Sequence, residues 1–112
     1  TNIPNLPDDT IKKIVNYTEA NYSGTFSLDD ISSYFGYTRS YFCRFFKKRT
    51  SFRYWDYLTH VRIEHAKEKL MQGKGVSQTG YECGFDDISY FIRVFKAQTG
   101  VTPGGFGRRG GR

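Results

Sequence analysis

Two stretches of the chain carry the same chemistry-bearing pattern. Ser40-Tyr41-Phe42-x-Arg44-x-Phe46-Lys47 recurs as Ser89-Tyr90-Phe91-x-Arg93-x-Phe95-Lys96, identical at six of eight positions with an offset of 49 residues. At helical spacing Ser40, Cys43, Arg44 and Lys47 share one face, opposite Tyr41, Phe42, Phe45 and Phe46. In the second copy Ser89, Ile92, Arg93 and Lys96 share a face opposite Phe91, Val94 and Phe95. The aromatic sides read as core. The Arg and Lys that recur opposite them are donors and cations turned away from that core, which is the chemistry of holding a polyanion.

The charge is placed to match. Of 112 residues, 17 are Lys or Arg and 11 are Asp or Glu, giving +6. Residues 1–35 carry −3, residues 36–75 carry +7 and residues 76–112 carry +2. A basic middle makes DNA or RNA the first partners to consider, with a merely solvated basic face as the plain alternative.

The elements that must position these residues read as helices. Thr1–Pro7 looks like a linker, with two prolines and no periodicity. From Asp8, the spacing of Ile11, Ile14, Val15 and Thr18 predicts a helix that stops in the stretch Asn21–Thr25. Ser27 is a plausible N-cap, with Asp30 as a capping-box partner, for a short helix carrying Leu28, Ile31 and Phe35. Gly36 ends that helix, and Thr38 caps the next, Arg39 to Arg49. Short helix, glycine turn and second short helix form the helix-turn-helix pattern. A longer helix from about Phe52 to Met71 follows, with Trp55, Leu58, Val61, Arg62, Ala66 and Leu70 as its inward stripe. Gly84-Phe85 then repeats the turn seen at Gly36-Tyr37. The long helix, about 30 Å at 1.5 Å per residue, suits two reading units placed in successive major-groove faces, which repeat about every 34 Å.

Other chemistries find little support. Cys43 and Cys83 show neither CxxC nor Cys/His spacing, so a disulfide framework and a zinc site are both poorly founded. His60 and His65 lie about 140° apart around a helix and do not converge on a metal. No HExxH, GxSxG or GxxxxGK[ST] occurs, so no enzyme and no cofactor is expected. A redox role for Cys43 lacks a visible resolving partner. No apolar run reaches the ~20 residues of a membrane span and no signal peptide opens the chain. The expectation is a cytoplasmic domain. Thr1 in place of an initiator Met fits a piece of a longer protein or a processed chain.

In their order, these segments resemble the DNA-binding domain of AraC/XylS-type bacterial transcription regulators. The likeness runs from about Thr10 to Pro103. It is carried by Ser27-Leu28-Asp29-Asp30-Ile31, Gly36-Tyr37-Thr38-Arg39-Ser40-Tyr41, Phe46-Lys47-Lys48, Tyr57-Leu58 with Arg62 and Ala66, Gly84-Phe85 through Lys96, and Thr99-Gly100-Val101-Thr102-Pro103. The resemblance implies an all-α fold of about seven helices, in two homeodomain-like helix-turn-helix subdomains. Expected boundaries are a linker over 1–7, a first subdomain over 8–50, a linker helix over 51–72, a second subdomain over 73–103 and a flexible Gly/Arg tail over 104–112. It implies sequence-specific binding to a double-stranded DNA operator in the bacterial nucleoid and regulation of transcription. RNA polymerase is then a partner, and a separate domain senses a small molecule or phosphorylation.

Carried over residue by residue, the family's base-reading positions fall on Ser40, Cys43, Arg44, Ile88, Ser89, Ile92 and Arg93. Arg44 and Arg93 suit guanine O6 and N7, each worth ~1–3 kcal/mol of discrimination. Ser40 and Ser89 discriminate weakly, and Cys43, Ile88 and Ile92 offer apolar contact to a thymine methyl. Phosphate positioning is assigned to Arg39, Lys47, Lys48, Arg49 and Lys96, with backbone N–H groups near Thr38 and Ser51. The chain departs from the family at Thr79-Gly80, where Ile-Ala is usual, and a mid-helix Gly there predicts a less rigid second unit. Ser51 stands where Gly is frequent, and the tail after Pro103 is too Gly-rich to predict a helix. A non-specific nucleic-acid binder and a protein-interaction module remain open alternatives, separable from DNA reading by salt slope and sequence preference.

Overall fold

A computed structural model describes residues 5–110, with side chains from Asp9 to Gly107. The described residues form seven helices: α1 (Asn5–Asn21), α2 (Leu28–Tyr34), α3 (Arg39–Thr50), α4 (Tyr54–Met71), α5 (Val76–Glu82), α6 (Ile88–Thr99) and α7 (Pro103–Gly110). They make two compact units. One takes α1–α3 and α4 as far as Leu58; the other takes α4 from Thr59, α5–α7 and the short link Tyr22–Gly24.

In the first unit local signals set the helix ends. Ser27 and Asp30 form a reciprocal capping box, Asp30 N–H donating to Ser27 Oγ at 3.1 Å and Ser27 N–H to the Asp30 carboxylate at 3.0 Å. Tyr41 N–H donates to Thr38 Oγ1 at 3.1 Å, which starts α3. The core is Ile14, Thr18, Ile31, Phe42, Phe46, Tyr54 and Leu58, all buried. Tyr54 meets the Phe42 and Phe46 rings edge-on, with centroids 5.2 and 5.3 Å away. Its hydroxyl lies 2.6 Å from Thr18 Oγ1, which in turn donates to the Ile14 carbonyl at 2.9 Å. The buried phenol is therefore satisfied rather than stranded.

The second unit packs Ile63, Ala66, Leu70, Cys83, Phe85, Phe91 and Phe95 together. Arg62 Nε donates to the Tyr22 carbonyl at 2.8 Å and Arg62 Nη2 to the Gly24 carbonyl at 3.1 Å, pinning the α1–α2 link onto α4. The His65 ring stacks on Tyr22 with centroids 3.9 Å apart, so this histidine is a packing residue. Glu82 gathers Lys74 at 2.9 Å, Lys69 at 3.3 Å and Gln78 at 2.8 Å, tying α5 to the end of α4.

Three expectations need correction. The linker over 1–7 is helical from Asn5 on, and residues 1–4 lie outside the described residues. Pro7 does not prevent this, because first-turn N–H groups have no intrahelical acceptor to lose. The tail over 104–112 is a helix as far as Gly110, with residues 111–112 outside the described residues. Packing overrides the poor propensity of its glycines. Gly105 N–H donates to Thr102 Oγ1 at 3.1 Å, Phe106 N–H donates to the Thr102 carbonyl at 2.8 Å, and Phe106 docks on Phe95 at 5.5 Å. Pro103 stands at the first helical position, where its fixed φ helps. The third correction is Trp55, 47% exposed, while its neighbour Tyr54 is 2% exposed and takes the inward place. Helix α4 starts at Tyr54, so Tyr54, Leu58, Val61 and Ile63 turn inward and Trp55 lies about 100° away from Tyr54.

Gly80 has a reason the sequence did not suggest. A Cβ built there would lie 2.7 Å from Ile88 Cδ1 and 2.9 Å from Phe91 Cδ2. Glycine is what lets α5 and α6 approach this closely.

Candidate nucleic-acid interface

Helix α3 buries Phe42 and Phe46 and turns Ser40, Arg44 and Lys47 to solvent, with Cys43 half-buried among them. Helix α6 does the same, burying Phe91 and Phe95 and exposing Ser89, Ile92, Arg93 and Lys96. Each helix thus divides into a core side and a solvent side by the same spacing. Arg44, Lys47, Lys48 and Lys96 have no ion-pair partner among the described residues. Arg93 lies over its own helix's Tyr90 ring at 5.6 Å and Arg49 over Phe45 at 5.9 Å, contacts that hold the guanidinium groups without neutralising them.

Other expected residues sit differently. Arg39 forms a bidentate pair with Asp29, at 3.1 and 2.9 Å, so its charge already has a counter-charge. The Asp29 carboxyl is held below its ordinary range by this hydrogen bond and by the Arg39 charge. Ile88 is half-buried with its Cδ1 over Gly80, which makes it first a packing residue of the α5–α6 seam. Ser51 needs correcting as a source of a free helix-start N–H. It caps the C-terminus of α3 at φ 72°, and its N–H donates to the Lys47 carbonyl at 2.7 Å. This left-handed conformation explains why Gly would suit the position. Thr38 does begin a helix, and its side chain serves as the cap acceptor.

Arg53 was missed. It is exposed just before α4, without an ion-pair partner among the described residues, and lines the same concavity as Arg44 and Lys47. No periodicity links it to α3, because it lies past the left-handed Ser51 that ends that helix. The second unit is poorer in cations: Arg93 and Lys96 stand on α6, whose N-cap is Asp87, with exposed Asp86 beside it.

Comparison with known proteins agrees with this geometry. The helix-turn-helix domain family matches residues 31–109. An uncharacterised HTH-type transcriptional regulator in the cgkA 5′ region of Pseudoalteromonas carrageenovora is 39% identical over 92 residues, covering 82% of this chain and 55% of that protein. The uncharacterised transcriptional regulatory protein YesN of Bacillus subtilis is 40% identical over 74 residues, 63% of this chain and 20% of YesN. The chain therefore spans about half of the first relative and a fifth of the second. Among solved structures, the C-terminal domain of the two-component response regulator yesN from Fusobacterium nucleatum superposes with TM-score 0.83 at 29% identity, covering 88% of this chain and 97% of that one. An AraC-type DNA-binding-domain regulator from Chromobacterium violaceum gives TM-score 0.85 at 26% identity, covering 94% and 95%. No helix among the described residues is long and apolar enough to cross a membrane. By sequence and by fold, the chain belongs to the AraC-type helix-turn-helix family of transcription regulators.

Proposed function

We propose that this domain reads a bipartite site in double-stranded DNA, laying α3 and α6 each in a major groove. One observation carries the reading: the Ser-x-x-x-Arg-x-x-Lys face occurs twice, each time solvent-exposed on a helix whose other side is core. Arg44 and Arg93 donate to guanine edges, Ser40 and Ser89 add weaker polar contacts, and Cys43 and Ile92 meet thymine methyls. Ile88 sets the pose of α6 as much as it touches a base. Lys47, Lys48, Arg49, Lys96 and the start of α3 at Thr38 hold phosphates, joined by Arg53, while Arg39 does so only by leaving Asp29. Residues 8–50 and 73–103 act as the two readers and 51–72 as their link. The likeness to longer regulators supports a place in a larger bacterial protein, and we infer that its other part senses a signal, with RNA polymerase as partner and the cytoplasmic nucleoid as its setting.

Selection from random duplexes at near-physiological salt tests this. The expected result is a two-part consensus with halves about one helical turn apart. Arg44→Ala weakens one half and Arg93→Ala the other, each by about 1–3 kcal/mol. No enrichment over random duplex, or equal loss on every sequence in both variants, overturns sequence reading and leaves electrostatic binding alone.

A further inference from the structure

Beside the reading face of α3 lies a cavity of about 450 Å³ within the first unit, a size typical of small-molecule sites. Its walls are the apolar faces of Leu28, Tyr54 and the half-exposed Trp55, with the Cys43 thiol among them. Arg44, Lys47 and Arg53 line it too, with no carboxylate paired to any of them among the described residues. We propose that this cavity binds an amphipathic organic carboxylate, its aromatic or alkyl body against Trp55 and Leu28 and its anionic head on the three cations. A bare phosphate would meet the cations and leave the apolar walls in water, so the cavity as a whole fits the amphiphile better. Resting on the DNA reading above, the second half of the proposal is regulatory: the bound carboxylate occupies Arg44 and Lys47 and so competes with DNA for α3.

Trp55 is the single tryptophan of the chain and reports on the site directly. The protein, free of DNA, is titrated with 4-phenylbutyrate, with its uncharged amide and with inorganic phosphate, following Trp55 emission excited at 295 nm (about the red edge where tyrosine drops out). A saturable change with the acid, at least about tenfold weaker with the amide and about tenfold weaker in Arg53→Gln, supports the site (a tenfold loss being about 1.4 kcal/mol). Arg53 is exposed, so the variant keeps its fold, which far-UV circular dichroism checks. Backbone and indole NMR shifts confined to the residues that line the cavity, Arg44, Lys47 and Arg53 included, locate the ligand. Equal, unsaturable responses to acid and amide, or a response to phosphate as strong as to the acid, overturn the site. The DNA arm is separate: at ligand ten times its Kd, competition raises the apparent Kd for the selected duplex about elevenfold. Unchanged DNA affinity at a saturated site overturns the regulatory half, whereas failure of sequence reading leaves the fluorescence arm intact.

Discussion

Replacing Gly80 by Ala is the sharpest test of how α6 is held. In an exposed helix interior the change stabilises by about 0.8–1 kcal/mol through propensity. Here the new methyl would lie 2.7 Å from Ile88 Cδ1 and 2.9 Å from Phe91 Cδ2. Ile88 can swing its half-buried terminus away at small cost. Phe91 cannot, since it is fully buried between Phe85 at 5.0 Å and Phe95 at 5.8 Å. Overpacking of this kind costs about 1–3 kcal/mol. Set against the propensity gain, this leaves a net loss of about 1 kcal/mol, or a Tm lower by about 4–8 °C for a unit of this size. Urea and thermal unfolding followed by far-UV circular dichroism measure it. Because relief requires α6 to move away from α5, binding to the second half-site should weaken while the first half-site is spared. A variant as stable as the parent, or more so, refutes the close approach of α5 and α6.

Other substitutions separate local from long-range causes. Ser51→Gly should stabilise by about 0.5–1 kcal/mol in the same unfolding assay, because a left-handed residue with a side chain gives way to one without that strain. Arg62→Ala should lose about 2–3 kcal/mol with its two charge-assisted bonds to the Tyr22 and Gly24 carbonyls. Arg62→Lys should recover less than half of that, since one ammonium does not reproduce the fork. Glu82 is held down from the ordinary 4.5 to about 2 by hydrogen bonds from Lys74 and Gln78, then Lys69. Its contribution is therefore complete above the unfolded pKa near 4.5 and fades as the pH falls toward 2. The Tm gap between the parent and Glu82→Gln should be largest at neutral pH and close over that window; a gap independent of pH refutes the assignment.

What could be read along the chain was whatever is encoded locally. Capping at Ser27 and Thr38 and the apolar sides of α3 and α6 follow from spacing and cap chemistry, and the structure has them, apart from Tyr41, which stands exposed beside the buried Phe42 and Phe46. The misjudged parts depend on partners far away in sequence. Helix α7 exists because Phe106 finds Phe95 and Gly107 lies against Leu70, which no propensity scale registers. Tyr54 rather than Trp55 takes the inward place, and its hydroxyl meets Thr18, 36 residues upstream. Gly80 is a weak point of α5 by propensity alone, and its reason lies in Ile88 and Phe91, which stand against it from α6.

The interface divides along the same line. Side chains repeated at i, i+3, i+4 and i+7 could be placed on a face without knowing the rest of the molecule, since a helix with one buried stripe has its opposite stripe in water. Arg39, Ser51 and Arg53 could not, because their roles turn on Asp29, the Lys47 carbonyl and the segment between α3 and α4. Those three residues change the electrostatic picture of the first unit, withdrawing one cation and one amide and adding another cation. The first unit still presents Arg44, Lys47, Lys48, Arg49 and Arg53, against Arg93 and Lys96 beside Asp86 and Asp87 on the second. If both readers engage DNA, phosphate affinity is concentrated in the first and the second adds mainly discrimination. Neutralising Lys47 should then reduce the slope of log K against log salt by about 0.9 and weaken all duplexes alike, while Arg93→Ala should relax one base position. The reverse pattern would exchange the two roles, and no effect of either substitution would mean that DNA is held away from the duplicated face.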